Sequence, residues 1–80
     1  MLNQIDRAEQ ALRDMGFGVL RVRHHDQLAR IEVPVDELAT VIAQRDDIIE
    51  AVRTAGYTYV TLDLQGFRSG SMNEALLSGG

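Results

Sequence analysis

The sequence has no cysteine, no lysine and a single proline in 80 residues. Without cysteine there is no disulfide framework, no thiolate metal site and no cysteine nucleophile. No apolar run approaches the roughly 18 residues that would argue for a membrane-spanning helix, and the first residues show no signal-peptide pattern. A soluble, cytoplasmic protein is therefore expected. Without lysine, all eight basic residues are arginines. Codon bias in a GC-rich genome would produce that count, and so would a need for planar forks that grip an anion. Twelve acidic residues outweigh the arginines, for a net charge of −4, which argues against nucleic acid as a partner. The length fits one small domain, residues 1–80, with a core at 4–64 and a tail at 65–80. A domain of this size buries roughly 60–65% of its unfolded surface, so its stability is marginal.

The clearest pattern present is a hairpin from Leu20 to Val33. Leu20 and Val22 alternate with Arg21 and Arg23. Further on, Ala29, Ile31 and Val33 alternate with Arg30 and Glu32, the period of half-buried strands. The polar stretch His24 to Gln27 predicts the turn. One ribbon thus has an oily face and a face bearing three arginines and a glutamate.

Before the hairpin, Ile5, Ala8, Leu12 and Met15 form a helical stripe over residues 4–15, with Asn3 as N-cap and Gly16 as the left-handed stop. After it, Pro34 ends the second strand. Two short helices are predicted at about 36–43 and 47–55, capped by Asp36 and Asp46, with Leu38, Val41 and Ile42 on the stripe of the first and Ile48, Ile49, Val52 and Ala55 on the second. Gly56 ends the second helix. Tyr57 to Leu64 reads as the third strand, with Thr58, Val60, Leu62 and Leu64 on one face and Tyr57, Tyr59, Thr61 and Asp63 on the other. The third strand is expected beside the first, or leaving a slot. The tail holds a Gly66-Phe67-Arg68 turn and a Ser71-Met72-Asn73-Glu74 capping box that would start a short C-terminal helix. The fold class is α+β: a small α-β-β-α-β domain, half ferredoxin-like, with a three-stranded sheet and helices on one face. The expected core is Ile5, Leu12, Phe17, Leu20, Val22, Ile31, Val33, Leu38, Ile42, Ile49, Val52, Val60 and Leu62.

A shift of 40 residues lays the chain on itself: Ala11-Leu12-Arg13 on Ala51-Val52-Arg53, Gly16-Phe17 on Gly56-Tyr57, and Leu20 and Val22 on Val60 and Leu62. Duplication and convergence of helix-to-strand junctions on glycine both account for it.

Parity puts Arg21, Arg23, Arg30, Glu32, Tyr59, Thr61 and Asp63 on the face the helices leave open. That face reads either as a solvated surface of cross-strand ion pairs or as an anion platform whose guanidinium groups are oriented by Glu32 or Asp63. Arg21 and Arg23 stand about 7 Å apart along a strand, close enough to converge on one phosphate. Arg68 and Ser71, just ahead of the predicted tail helix, would add a third fork and a helix N-terminus. The G-x-x-x-x-G-K-[ST] phosphate loop is absent. His24 and His25, adjacent on a strand, point to opposite faces and do not make a metal site. No nucleophile with an oriented partner is evident, so no catalytic residue is assigned.

Several strings resemble the C-terminal region of the LarE family: Gly16-Phe17, Arg21-Val22-Arg23-His24-His25, Leu28-Ala29-Arg30-Ile31-Glu32-Val33, Gly56-Tyr57-x-Tyr59-Val60-Thr61-Leu62-Asp63-Leu64, and Gly66-Phe67-Arg68-Ser69-Gly70-Ser71-Met72-Asn73-Glu74. These are ATP-dependent sacrificial sulfur transferases of the PP-loop superfamily, which serve synthesis of the nickel-pincer nucleotide cofactor. The resemblance runs from Ile5 to Leu77 and implies that Arg21, Arg23, Glu32 and Arg68 match residues lining a sulfur-transfer site, where arginines hold the phosphate of a mononucleotide. Two parts of the family's pattern are missing. There is no S-G-G-x-D-S loop for ATP pyrophosphate and no sulfur-donating cysteine, so ATP and magnesium would belong to another domain and no cofactor is expected in this chain. A cut domain and a free-standing relative fit equally.

The expected function is that of a substrate-binding and oligomerisation domain, not catalytic alone. Its anticipated partners are a mononucleotide, further copies of itself and a fused or separate PP-loop domain, with neither nucleic acid nor membrane. The competing reading is a structural, oligomerising module without a ligand.

Overall fold

A computed structural model describes residues 3–67. The first helix, α1 (Gln4–Asp14), begins where expected, with the Asn3 side chain accepting the Asp6 N–H at 2.8 Å. Strands β1 (Arg21–His25) and β2 (Leu28–Glu32) form the hairpin. A 3-10 turn at Val35–Glu37 leads into α2 (Leu38–Ala43), then α3 (Arg45–Thr54) and the last strand, β3 (Tyr59–Leu62). Gly16 and Gly56, each between a helix and the chain leading to a strand, have φ of 109° and 116°, as the left-handed stop requires. The α+β class, the three strands and the helical layer are as the sequence predicts. Among the described residues no helix is long and apolar enough to cross a membrane. The Ser71 capping box and the helix expected after it lie outside the described residues.

The strand order is β1-β2-β3, with β1 antiparallel to β2 and β2 parallel to β3. This corrects the expectation that β3 lies beside β1 or leaves a slot. A parallel neighbour needs a crossover, and α2 with α3 supplies one from β2 to β3. On the far side of β1, the Glu9 carboxylate of α1 accepts the Val22 N–H at 2.9 Å, so a side chain takes a backbone donor that a strand would have used.

The turn is tighter than the polar stretch suggested. His24 and His25 belong to β1, and only Asp26 and Gln27 link the strands, with Asp26 at φ 57°. Aspartate tolerates that left-handed region better than most residues. The Gln27 carbonyl then accepts both the Thr58 and Tyr59 N–H groups, at 2.9 and 3.1 Å. Two successive amides on one carbonyl break the alternation at Thr58. This explains why Tyr57 is buried rather than on the open face and why the strand begins at Tyr59; at its other end the Gly66 N–H donates to the Asp63 carbonyl at 3.0 Å and the chain turns away. Leu64 is exposed beyond its end.

Neither predicted aspartate cap forms. Asp36 sits inside the 3-10 turn, and Asp46 lies in the first turn of α3, bonded to Arg45. The N-cap positions are Glu37 and Gln44, without side-chain caps. Continuous backbone hydrogen bonding replaces them: Gln44 N–H reaches Thr40 and Val41 carbonyls, while its own carbonyl accepts Ile48 N–H.

Leu12, Phe17, Leu20, Val22, Ile31, Val33 and Val52 are buried as expected, and Ile5, Leu38, Val60 and Leu62 pack at the margin. Val41 and Ile48 take the inner positions of α2 and α3, and Ile42 is left 58% exposed. Ile49 is half-buried and outside the core cluster. Of the predicted stripes, Val41, Ile48, Val52 and Ala55 face inward, whereas Ile42 and Ile49, expected in the core, do not reach it.

Candidate functional site

The open face is built from β1, β2 and the chain after β3. Register places Arg21 opposite Glu32 and Arg23 opposite Arg30. Glu32 is at the centre: Oε1 accepts Arg23 Nε at 3.3 Å and Oε2 accepts Arg30 Nη2 at 3.2 Å. Its side chain is only 10% exposed, whereas those of Arg23 and Arg30 are 46% and 42% exposed. One sheltered carboxylate therefore orients two guanidinium groups whose outer edges stay in water. Asp63 joins from the end of β3, its Oδ2 3.8 Å from Arg30 Nε. That is too long for a hydrogen bond, and Arg30 Nε is a buried donor without a partner among the described residues.

Arg21 is arranged differently. Among the described residues no carboxylate pairs with it, and its guanidinium carbon lies 5.9 Å from the centre of the Phe67 ring. Contact with a ring face steadies a cation without neutralising it. Gly66 makes the approach of Phe67 possible. Its φ is 81°, and a Cβ there would meet Val35 Cγ2 at 2.9 Å and the Val33 carbonyl oxygen at 3.0 Å. The Phe67 N–H then donates to that Val33 oxygen at 2.7 Å, bringing the chain back from β3 across the end of β2. Arg68 and Ser71 lie outside the described residues. Arg21, Arg23, Arg30 and Glu32 thus share the face that parity predicted, and the structure adds Phe67, which the sequence marked only as a turn aromatic.

Along the outer side of β1, Arg13, Arg21, Arg23 and Glu9 line an open groove of about 530 Å³. Glu9 is also paired with Arg13 at 3.6 Å. His24, two residues from Val22 on the helix-covered side, reaches Tyr57: the hydroxyl is 2.8 Å from Nδ1, and the rings meet edge to face at 5.4 Å. Burial, and then the nearby Glu9 charge, push the Tyr57 phenol above its ordinary value of 10.0. It therefore remains protonated in neutral solution and is able to donate to Nδ1. Sequence reading missed this pair, although the shared parity of Val22 and His24 was a usable signal. Among the described residues no group of three or more His, Asp or Glu side chains is gathered as for a metal ion.

The fold and this face define a small α+β domain that displays clustered arginines on the uncovered side of its sheet. Comparison with known proteins says of which kind. Over 73 residues the chain is 44% identical to the pyridinium-3,5-bisthiocarboxylic acid mononucleotide synthase of Lactiplantibacillus plantarum, a match taking in 91% of this chain and 26% of that protein. It is 36% identical over 77 residues to an uncharacterised protein of Synechocystis and 34% identical over 68 residues to one of Methanocaldococcus jannaschii, covering 94% and 85% of this chain and 29% and 27% of those proteins. No family model matches the chain. Over 91% of its length the chain is thus similar to a protein of the LarE family, and the match is consistent with that family's C-terminal domain. It spans about a quarter of the length of the curated relatives it matches.

Proposed function

We propose that this chain is the substrate-binding and oligomerisation domain of a sulfur transferase, holding the phosphate of a pyridinium-type mononucleotide on its arginine face. The observation that carries the reading is the contrast within that face. Glu32 orients Arg23 and Arg30, while Arg21 rests on Phe67 without a carboxylate partner among the described residues. A guanidinium held in place but not neutralised is suited to an incoming anion, and a neighbour with its outer N–H edge in water can share the load. Arg68 and Ser71 are proposed to add to the site. The relative from Lactiplantibacillus plantarum is named for a mononucleotide product, which carries a phosphate such a face could grip. Transfer of sulfur itself would need groups this chain lacks, since it has no cysteine. ATP would be handled by a PP-loop domain fused to this one or acting beside it.

The test is an amide-shift titration of the chain with inorganic phosphate and with nicotinic acid mononucleotide, alongside the Arg23→Ala variant. Shifts should centre on Arg21, Arg23 and Arg68, weaken as salt rises and shrink in the variant. No shift at millimolar ligand would leave a structural module whose arginines serve only cross-strand ion pairs.

A further inference from the structure

We propose that the row of the open face next to the arginines, formed by His25, Leu28 and Tyr59, is a ring subsite that takes a pyridinium ring flat on the Tyr59 phenol. The proposal rests on the phosphate reading above and assigns the other end of the same ligand. Register lines up the open face in rows across the three strands. Arg23, Arg30 and Thr61 form one row, and His25, Leu28 and Tyr59 form the next. Val60 and Leu62 line an apolar groove with Ile42 and Ile49 of the helical layer, so alternation turns Tyr59 to the opposite, open side.

All four Phe and Tyr residues are among those described, and three are engaged. Phe17 and Tyr57 lie in the core, and Phe67 lies beside Arg21. Tyr59 is 61% exposed, and no described ring or guanidinium stacks on it. A single exposed apolar side chain is ordinary. This one continues through half-buried Leu28 to exposed His25, making a strip one row from the Arg23 and Arg30 guanidinium groups. Two residues' rise separates the rows, about 7 Å along the strands, a step that the ribose of a mononucleotide bridges between phosphate and ring.

Charge selects a pyridinium over a neutral base. The face of a phenol ring is the negative part of its quadrupole and attracts a cation, and a pyridinium carries its positive charge within the ring. Acid groups on the same ring are anions. Arg30, held by Glu32 with its side chain 42% exposed, stands one row from Tyr59 on the neighbouring strand and can receive one of them. Tyr59 and Arg30 therefore match both signs of charge on one ring. A uracil base has neither charge and would gain only contact area.

The test compares ligands by amide and ring-proton shifts on the 80-residue chain. Nicotinic acid mononucleotide should bind about threefold more tightly than ribose 5-phosphate, the factor that an exposed cation–π contact supplies. Its pyridinium protons should move upfield, with shifts at the Leu28 and Tyr59 amides that inorganic phosphate does not cause. Tyr59→Leu, checked for folding by circular dichroism, should bring the two affinities together, whereas Tyr59→Phe should keep them apart. Equal affinities in the unsubstituted chain overturn the subsite, and so does a preference that survives Tyr59→Leu. Uridine monophosphate binding as tightly as nicotinic acid mononucleotide overturns the pyridinium assignment. If Tyr59→Leu does not fold, the ligand comparison and the ring-proton shifts of the unsubstituted chain decide. 1-Methylnicotinate, a pyridinium carboxylate without phosphate, separates the two proposals. Should it move Tyr59 and Leu28 while inorganic phosphate moves nothing, the ring subsite stands and the phosphate reading falls. Should inorganic phosphate move Arg21 and Arg23 while no pyridinium moves Tyr59, the ring subsite falls and the phosphate reading stands.

Discussion

Val22, Ala29 and Ile31, on the helix-covered side of the sheet, have at most 2% of their surface exposed. One residue along the same strands, Arg21, Arg23 and Arg30 stand with their ends in water. The two faces share a backbone and differ only by parity. The covered side collects apolar area, which is non-directional and roughly additive, and so carries the stability. The open side holds its cations through one sheltered carboxylate and one ring, contacts that contribute little to stability but set direction. Substitutions on the two faces should therefore separate stability from binding.

The sharpest way to break that separation is Leu12→Ala. Leu12 is 2% exposed, and truncation should cost about 2–4 kcal/mol in denaturant melts, with phosphate binding unchanged in the folded fraction. Val60, only partly buried, should cost less when truncated. Gly66→Ala comes next: a left-handed residue whose new Cβ meets backbone oxygen should lose more than ~1 kcal/mol. Because it displaces Phe67, it should also move the Arg21 side-chain resonances, joining the two faces through one residue. Glu32→Gln should cost about 1 kcal/mol, since both partner arginines are more than a third exposed and solvent-screened. It should loosen Arg23 and Arg30 and flatten the phosphate titration.

Tyr57 tests the covered side by pH. Its folded pKa is raised above 10.0 by burial and then by Glu9, so the unfolded chain releases the proton first. The contribution is fully present below pH 10.0 and is lost as pH climbs through the raised value. Tyr57→Phe should remove that alkaline slope in melts across pH 9 to 11. Smallest in stability is Arg23→Ala, within about 0.5 kcal/mol, yet its phosphate-induced shifts should fall markedly. A large stability loss there would mean that the ion pairs, not an anion, are what the face is for.

The hairpin, the first helix, the glycine stops and the side of the sheet each arginine occupies were determined by the sequence alone. Strict alternation and a single apolar stripe leave one solution each, because a shift of one residue would bury charge. Even the grouping of Glu32 and Asp63 with the arginines was legible from parity. What only the tertiary structure decided were the places where neighbouring residues are alike or the partner is remote. Val41-Ile42 and Ile48-Ile49 are apolar doublets, so helical periodicity cannot choose between them, and packing in the common core seated Val41 and Ile48 inward. The strand order, the Glu9 cap on Val22, the Tyr57 contact with His24 and the Phe67 ring beneath Arg21 join residues distant in the chain. Such contacts depend on how the crossover and the returning chain close over β2, and no local pattern encodes that closure.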